Sequence, residues 1–287
     1  MILQEKEYQL DICTGLQNSR KYRITQDITY TLDTFHYHNE IETDVLLTLE
    51  KTAEKGFVFT VKLLRQWQLK TDGSDRWDLE LATLRKNIVV ETDATGKIIR
   101  VLNMDKIREL WQQIKPGLAE KYKNDEESKT VINTSVNLLY TKGELEKVLQ
   151  SSYLYHALLP GLYHEIFDQS HEYSTKGCRE IPNAVGEFAL PFRTEKKLKA
   201  YDKFTRQCSI NIAGEIDQKG LDKDGIAELL QRLTGIYNLN THIEGFHLED
   251  YSFDGDHWIT ESAQLTQYGI EGTLMYRNLC TALPLNT

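Results

Sequence analysis

His164-Glu165 and His171-Glu172 stand seven residues apart, a spacing that would bring two His-Glu pairs to one face of a helix running through Asp168. Imidazole and carboxylate together can hold a divalent metal, and His164, Glu165 and His171 are the chain's best-placed candidates for that role. The zinc-hydrolase pattern needs its second His four residues after the first, so that motif is absent. Ordinary polar surface is the plainer reading, and no metal or cofactor is expected. His36 and His38 would share one side of an extended chain, but no acidic or Cys partner accompanies them, and a turn between two strands accounts for both. The stretch DQKGLDKDGIAE (Asp217 to Glu228) is reminiscent of a calcium loop. Matching Asp222, Asp224 and Gly225 to its acidic and glycine positions puts Gly220 and Gln231 where ligand oxygens are obligatory. Carboxylates at a helix entry explain the stretch better.

Asp254, Asp256, His257 and Glu261 cluster near a hairpin, where an acid and a His could support proton transfer. Asp254-Gly255 is needed by the turn itself, however, and a hairpin tip rarely excludes water. The four cysteines, Cys13, Cys178, Cys208 and Cys280, are widely spaced. They match neither a zinc site nor a dense disulfide framework, and Cys13, Cys208 and Cys280, set among apolar neighbours, read as buried free thiols. A nucleophile elbow, a phosphate loop and a dinucleotide fingerprint are absent. The densest unexplained feature is Tyr153, Tyr155, Leu158, Leu159, Leu162 and Tyr163, more apolar than one helix face requires and therefore the expected ligand- or partner-binding surface. Trp67 and Trp111 keep the apolar period of their elements and read as core.

The elements that must position these residues follow from periodicity. From Tyr22 to Leu32 apolar residues take even positions and polar ones the odd, the signature of a strand with one buried face. Ile41 to Leu49, Phe57 to Leu69 and Phe204 to Ile216 repeat it. Asp72-Gly73, Thr95-Gly96 and Asp254-Gly255 mark reversals. After Asn103, an N-cap candidate, Ile107, Leu110, Trp111, Ile114 and Leu118 recur at three and four residues and predict an amphipathic helix interrupted near Pro116. Helical spacing returns at Val136 to Leu139, Glu144 to Tyr155 and Ile226 to Ile236. Three closing strands form a meander. The expectation is an α+β chain with a large curved, mostly antiparallel β-sheet of about ten or eleven strands, because the turns are too short for parallel crossovers. About four amphipathic helices pack on one face. The weakly periodic region from His164 to Ala184 reads as a long loop, so the chain is taken as one domain, 1–287, with a seam near 160–185; the alternative is two halves, 1–160 and 185–287.

Such a sheet with helices over its concave side resembles the bacterial outer-membrane lipoprotein carriers and related periplasmic lipid-binding lipoproteins. The segment VVETDATGKIIRVLNMDKIRELWQQIK (Val89 to Lys115), strand, Gly turn, strand, then helix, also resembles uncharacterised Bacteroidetes proteins of that plan. The resemblance implies a hydrophobic cavity for acyl chains.

Net charge is −9, from 34 Lys and Arg against 43 Asp and Glu, which argues against nucleic acid as a partner. The basic run Arg193 to Lys203 reads as the solvent face of an extended segment. No apolar run approaches the roughly 18 residues of a membrane span. The start, MILQEKEYQL, carries no leader pattern, so a cytoplasmic setting is expected, or a periplasmic or envelope one where a leader has been removed. The functional expectation is a non-enzymatic binding protein engaging a protein partner, as an adaptor, assembly component or immunity-type protein would. The alternative is a carrier of a lipid or other apolar ligand within the curved sheet, and the third reading is a hydrolase whose site is assembled from distant residues.

Overall fold

Long period-two segments force neighbour-to-neighbour ladders, and the computed structural model builds them into one sheet. It describes residues 7–12, 18–53, 55–71, 80–168, 174–235 and 242–285. The first half supplies β1 (Glu7–Gln9), β2 (Ser19–Leu32), β3 (Phe35–Ala53), β4 (Gly56–Thr71), β5 (Asn87–Thr92) and β6 (Ile98–Val101). Four helices follow: α1 (Met104–Lys121), α2 (Glu126–Tyr140), α3 (Glu144–Ser151) and α4 (Tyr153–Leu158). The second half contributes β7 (Ile166–Asp168), β8 (Thr175–Val185), β9 (Phe188–Tyr201), β10 (Cys208–Ile216), α5 (Lys223–Thr234), β11 (Glu244–Phe253), β12 (Ile259–Ile270) and β13 (Leu274–Pro284).

Eleven strands form a single open sheet in the order β6-β5-β4-β3-β2-β13-β12-β11-β10-β9-β8, while β1 pairs β7 in a small separate ladder. Every pairing is antiparallel. Two meanders meet where β13 pairs β2, so the last strand joins the two halves of the chain. The region expected to be a loop or seam contains β7 and β8, and β8 forms a sheet edge. Its sequence, TKGCREIPNAV, alternates poorly because most of its residues are exposed. Among the described residues no helix is long and apolar enough to cross a membrane.

Local chemistry explains the joints. The Asp93-Ala94-Thr95-Gly96 turn between β5 and β6 is an Asx turn, in which Asp93 Oδ1 accepts from the backbone N–H of Thr95 and Lys97 (2.9 and 3.0 Å) and from the Thr95 hydroxyl. Gly96 sits at φ +91°, and a Cβ there would meet the Tyr163 ring at 2.8 Å, so glycine is required both by the turn and by the ring packed on it. Asn103 stands at the entry of α1 but its side chain does not cap the helix. It bridges to β5 instead, accepting from Val89 N–H and donating to the Asn87 carbonyl. Nor does Pro116 interrupt α1, which continues to Lys121 with Pro116 inside it. The buried and half-buried set Met104, Ile107, Trp111, Ile114 and Leu118 holds one stripe along the helix. Packing of that stripe outweighs the one backbone bond the proline removes. In α5 the calcium-like carboxylate Asp222 is an N-cap, accepting from Gly225 N–H at 3.0 Å.

Candidate ligand-binding site

Strand pairing carries the inward-facing residues into rows that cross the concave side of the sheet. One row runs Thr194, Gly214, His247, Thr266, Asn278, Ile28, Asn39 through successive ladders. The next runs Lys196, Ile212, Glu249, Gln264, Cys280, Gln26, Ile41, Gln68. Most of these side chains are polar, and Thr194, His247, Glu249, Gln264, Thr266, Asn278 and Asn39 are buried. A polar belt therefore crosses what would otherwise be the apolar filling of the sheet. On one side it is bordered by a ladder of directly opposed tyrosines, Tyr268, Tyr276, Tyr30 and Tyr37. On the other lie Ile210, Tyr251, Ala282 and Ile24.

Helix α4 packs onto β12 and β13 over this belt and completes its hydrogen bonding. Glu249, 2% exposed, accepts from His156 Nε2–H at 3.0 and 3.1 Å, from His247 Nε2–H at 2.6 Å and from the Tyr251 hydroxyl at 2.7 Å. The far nitrogen of His247, Nδ1, accepts from Thr266 Oγ1 at 2.7 Å, and Thr266 accepts from the Tyr153 hydroxyl at 2.6 Å. The network itself assigns these tautomers. Burial opposes ionisation of Glu249, yet the charge and hydrogen bonds of His156 and then His247 outweigh it and hold the carboxyl well below the usual range. Burial also lowers the His156 pKa, against the pull of Glu249 and with the push of Arg179. A carboxylate so held is a poor base, and the network reads as a rigid anchor between α4 and β11.

The same linkage fixes an acid sensitivity. Glu249 and His156 both have depressed folded values, and so does His257, chiefly through burial. Each group binds a proton more readily unfolded than folded, so stability rises with pH across its window. The three contributions are complete above the ordinary His value of 6.5 and the His share begins to fall below it. The Glu249 share follows below its ordinary 4.5. Urea unfolding midpoints measured from about pH 8 down to about pH 4 are expected to be flat at first and then to decline in these two stages. A midpoint that rises on acidification contradicts the assignment.

Two clefts open beside α3 and α4. The first, about 280 Å³, lies over the β8 to β11 end of the belt and is lined on its polar side by Lys97, His156, Arg179, Thr194, Lys196 and Glu249. The second, about 260 Å³, lies between the helices and the inner faces of β2, β3 and β4. Its walls are Ile24, Ile28, Ile41, Val45, Val61 and Leu63, with Leu154 above and Gln26, Thr43 and Gln66 in the floor. Leu149 and Tyr155 line both clefts.

Residues singled out from the sequence fall variously. Tyr153, Tyr155, Leu158, Leu159, Leu162 and Tyr163 come together, but all are buried and present no exposed face. They exceed one helical face because α4 is short and the chain leaving it is also buried. Tyr155 and Leu159 nonetheless wall the first cleft. His164 does not continue a helix: its φ is +56° and extended chain follows in β7. His164 Nδ1 lies 3.0 Å from Asp11 and the ring stacks on Phe57, while Glu165 pairs with Lys196. His171 lies outside the described residues, as do Cys13 and Asp72-Gly73. Among the described residues no three His, Cys, Asp or Glu side chains are grouped to hold a metal. His36 and His38 belong to β3 and not to the turn before it, with His36 at 3.2 Å from Thr31 and His38 at 3.0 Å from Asp27. Asp254 Oδ1 accepts from Asp256 and Trp258 N–H and Oδ2 pairs with Arg20. His257 turns away to contact the Tyr8 hydroxyl at 2.7 Å and the Asp11 backbone. That hairpin is built for structure.

His156, Arg179, His247 and Glu249 escape a reading of the sequence. The readable signal is parity: Tyr251 and Phe253 share the odd positions of β11 with His247 and Glu249, whereas Leu248, the apolar residue between them, is exposed.

Fold and clefts together define an α+β protein whose open antiparallel sheet is covered on its concave side by helices. No protein-family model matches the chain, and no curated protein matches it. Among solved structures, a chain from a structure of lipid-protein interactions in lipovitellin is similar over 95% of this chain and 26% of that one, at 8% identity and a TM-score of 0.46. This chain thus spans about a quarter of that one's length. So loose a superposition does not place the two in one family.

Proposed function

We propose that the chain is a non-enzymatic binding protein that holds an apolar ligand between α3, α4 and the concave face of β2, β3 and β4. One observation carries this reading: a largely apolar cleft of about 260 Å³ opens between the helices and the inner face of β2, β3 and β4. Protein interiors are otherwise close-packed, and an unfilled apolar space forfeits dispersion contacts that a ligand restores. Its volume is just below the roughly 300 Å³ at which drug-sized sites begin, which suits a single chain or small ring better than a bulky lipid. The half-buried amides of Gln26 and Gln66 and the buried Thr43 suit an occupant with some polarity. Engagement of a protein partner keeps one support, the outer edge of β8, which pairs with no further strand among the described residues. Pro182 and the irregular register between Ile181 and Val185 blunt that edge for strand addition.

Titration with a neutral naphthylamine probe, fluorescent in apolar surroundings, tests the reading. Saturable enhancement is expected with the wild type, and Val61→Phe, which pushes a ring into the cleft, is expected to weaken it about tenfold or more. Absence of saturable binding to the folded wild type overturns the proposal.

A further inference from the structure

Arg179, half-buried on β8, carries a second anomaly. Its Nε and Nη2 atoms are buried without a hydrogen-bonding partner, and no carboxylate pairs with it among the described residues. Burying charged donors without acceptors is unfavourable, and a folded chain rarely leaves them so unless something else supplies the acceptors. These two nitrogens form one edge of the guanidinium, the two-donor fork that takes both oxygens of a carboxylate or phosphate. Arg23 shows the use of that fork in this molecule, its Nε and Nη2 reaching the two oxygens of Asp44 at 2.9 and 3.2 Å. Arg179 is among the residues lining the first cleft, and its Nε and Nη2 lie buried in that wall. Nearby charges there do not compete for it: Lys196 is engaged with Glu165, and Glu249 already accepts from His156, His247 and Tyr251. Lys97 at the rim adds a further positive charge. The rest of the lining is largely apolar, with Ile98, Leu149, Tyr155, Leu159 and Ile212, and two of these, Leu149 and Tyr155, are shared with the apolar cleft.

We infer that the ligand is an anionic amphiphile, a single apolar chain ending in a carboxylate or phosphate, whose head group is held by the Nε/Nη2 edge of Arg179 and whose chain runs along Leu149 and Tyr155. This rests on the apolar-ligand reading and adds the head group to it. Thr194 offers a further hydroxyl in the same cleft, which the His156-Glu249 pair also lines.

Calorimetric titration of the full chain with decanoate, decyl phosphate, decanol and inorganic phosphate separates the two claims. Decanoate or decyl phosphate is expected to bind about tenfold or more tightly than decanol, the worth of a charge-assisted bond pair. In Arg179→Gln that preference should vanish while decanol and the neutral naphthylamine probe bind as before. Equal binding of decanol and both anions, or a preference that survives Arg179→Gln, overturns the head-group assignment and leaves the apolar-ligand reading standing. Inorganic phosphate binding as tightly as decyl phosphate overturns the amphiphile and makes the site one for a small anion. Loss of naphthylamine binding in the wild type overturns the underlying reading itself. Should Arg179→Gln fail to fold, Arg179→Lys carries the test, since it keeps the charge and removes the paired donors. A reduced preference then supports the fork, and an undiminished one overturns it.

Discussion

Glu249→Ala is expected to destabilise the fold by about 3–5 kcal/mol, the cost of breaking a buried, charged, fully bonded network by removing one partner. The carboxylate is the acceptor on which His156 Nε2–H, His247 Nε2–H and the Tyr251 hydroxyl converge. Alanine leaves those donors buried without acceptors and opens space between α4 and β11. Glu249→Gln is expected to cost less but not little, because its one acceptor oxygen replaces two and its amide group points donors at donors. Urea unfolding at neutral pH reads both as a lowered midpoint at unchanged slope. A double-mutant cycle with His156→Ala should return a coupling of about 1–3 kcal/mol, since α4 reaches Glu249 through that imidazole. Independent, additive losses would mean that the network does not hold the helix to the sheet.

Alternation made the frame of this molecule legible. In β2 the even positions Tyr22 and Ile24 are buried as their period requires, and in β10 Cys208, Ile210, Ile212 and Ile216 are too. Turns at Thr95-Gly96 and Asp254-Gly255 are where Gly and Asp chemistry places them. Alternation works because one face of most strands is simply apolar. It fails along the belt, where His247, Glu249, Gln264, Thr266 and Asn278 occupy inward positions. A polarity count assigns each of them to solvent. Their burial is possible only because strands distant in sequence supply one another's partners, as Thr266 does for His247 and Tyr153, and no local window contains that information. Tyr153 to Tyr163 is more apolar than one helix face requires, and all six of its Tyr and Leu residues named above are buried. The segment is a short helix and its exit, both covered by the sheet.

Charge misleads as well. Lys196 sits in the basic run of β9 that reads as solvent-facing, and its outward neighbours Arg193, Lys197 and Lys199 bear that out. Lys196 alone turns inward, with a side chain 13% exposed, to meet Glu165. Arg179, in the poorly patterned β8, is the more consequential case. Its position opposite Phe192 in the ladder, and so on the inner face, follows from the register between β8 and β9, which a bulge after Ile181 makes unreadable from sequence spacing.

Trp111→Ala is expected to cost about 3–5 kcal/mol, as removal of a fully buried indole does when neighbours cannot close the space. Trp111 is 0% exposed at the middle of the α1 stripe. The facing helix α2 buries Ser128, Ile132, Ser135 and Leu139 at the matching three- and four-residue spacing, so the two helices pack as a hairpin. Trp111→Phe should cost markedly less than the alanine change, because the indole Nε1–H is buried without an acceptor and its loss forfeits no hydrogen bond. The hairpin stands apart from the clefts, whose helical walls come from α3 and α4. Trp111→Ala is therefore expected to lower the unfolding midpoint while the folded protein binds the naphthylamine probe with unchanged affinity. Val61→Phe should do the reverse, weakening the probe with a smaller loss of stability. If Trp111→Ala abolished binding in protein that circular dichroism shows to be folded, the division between a stabilising hairpin and a ligand-covering α3-α4 layer would have to be abandoned.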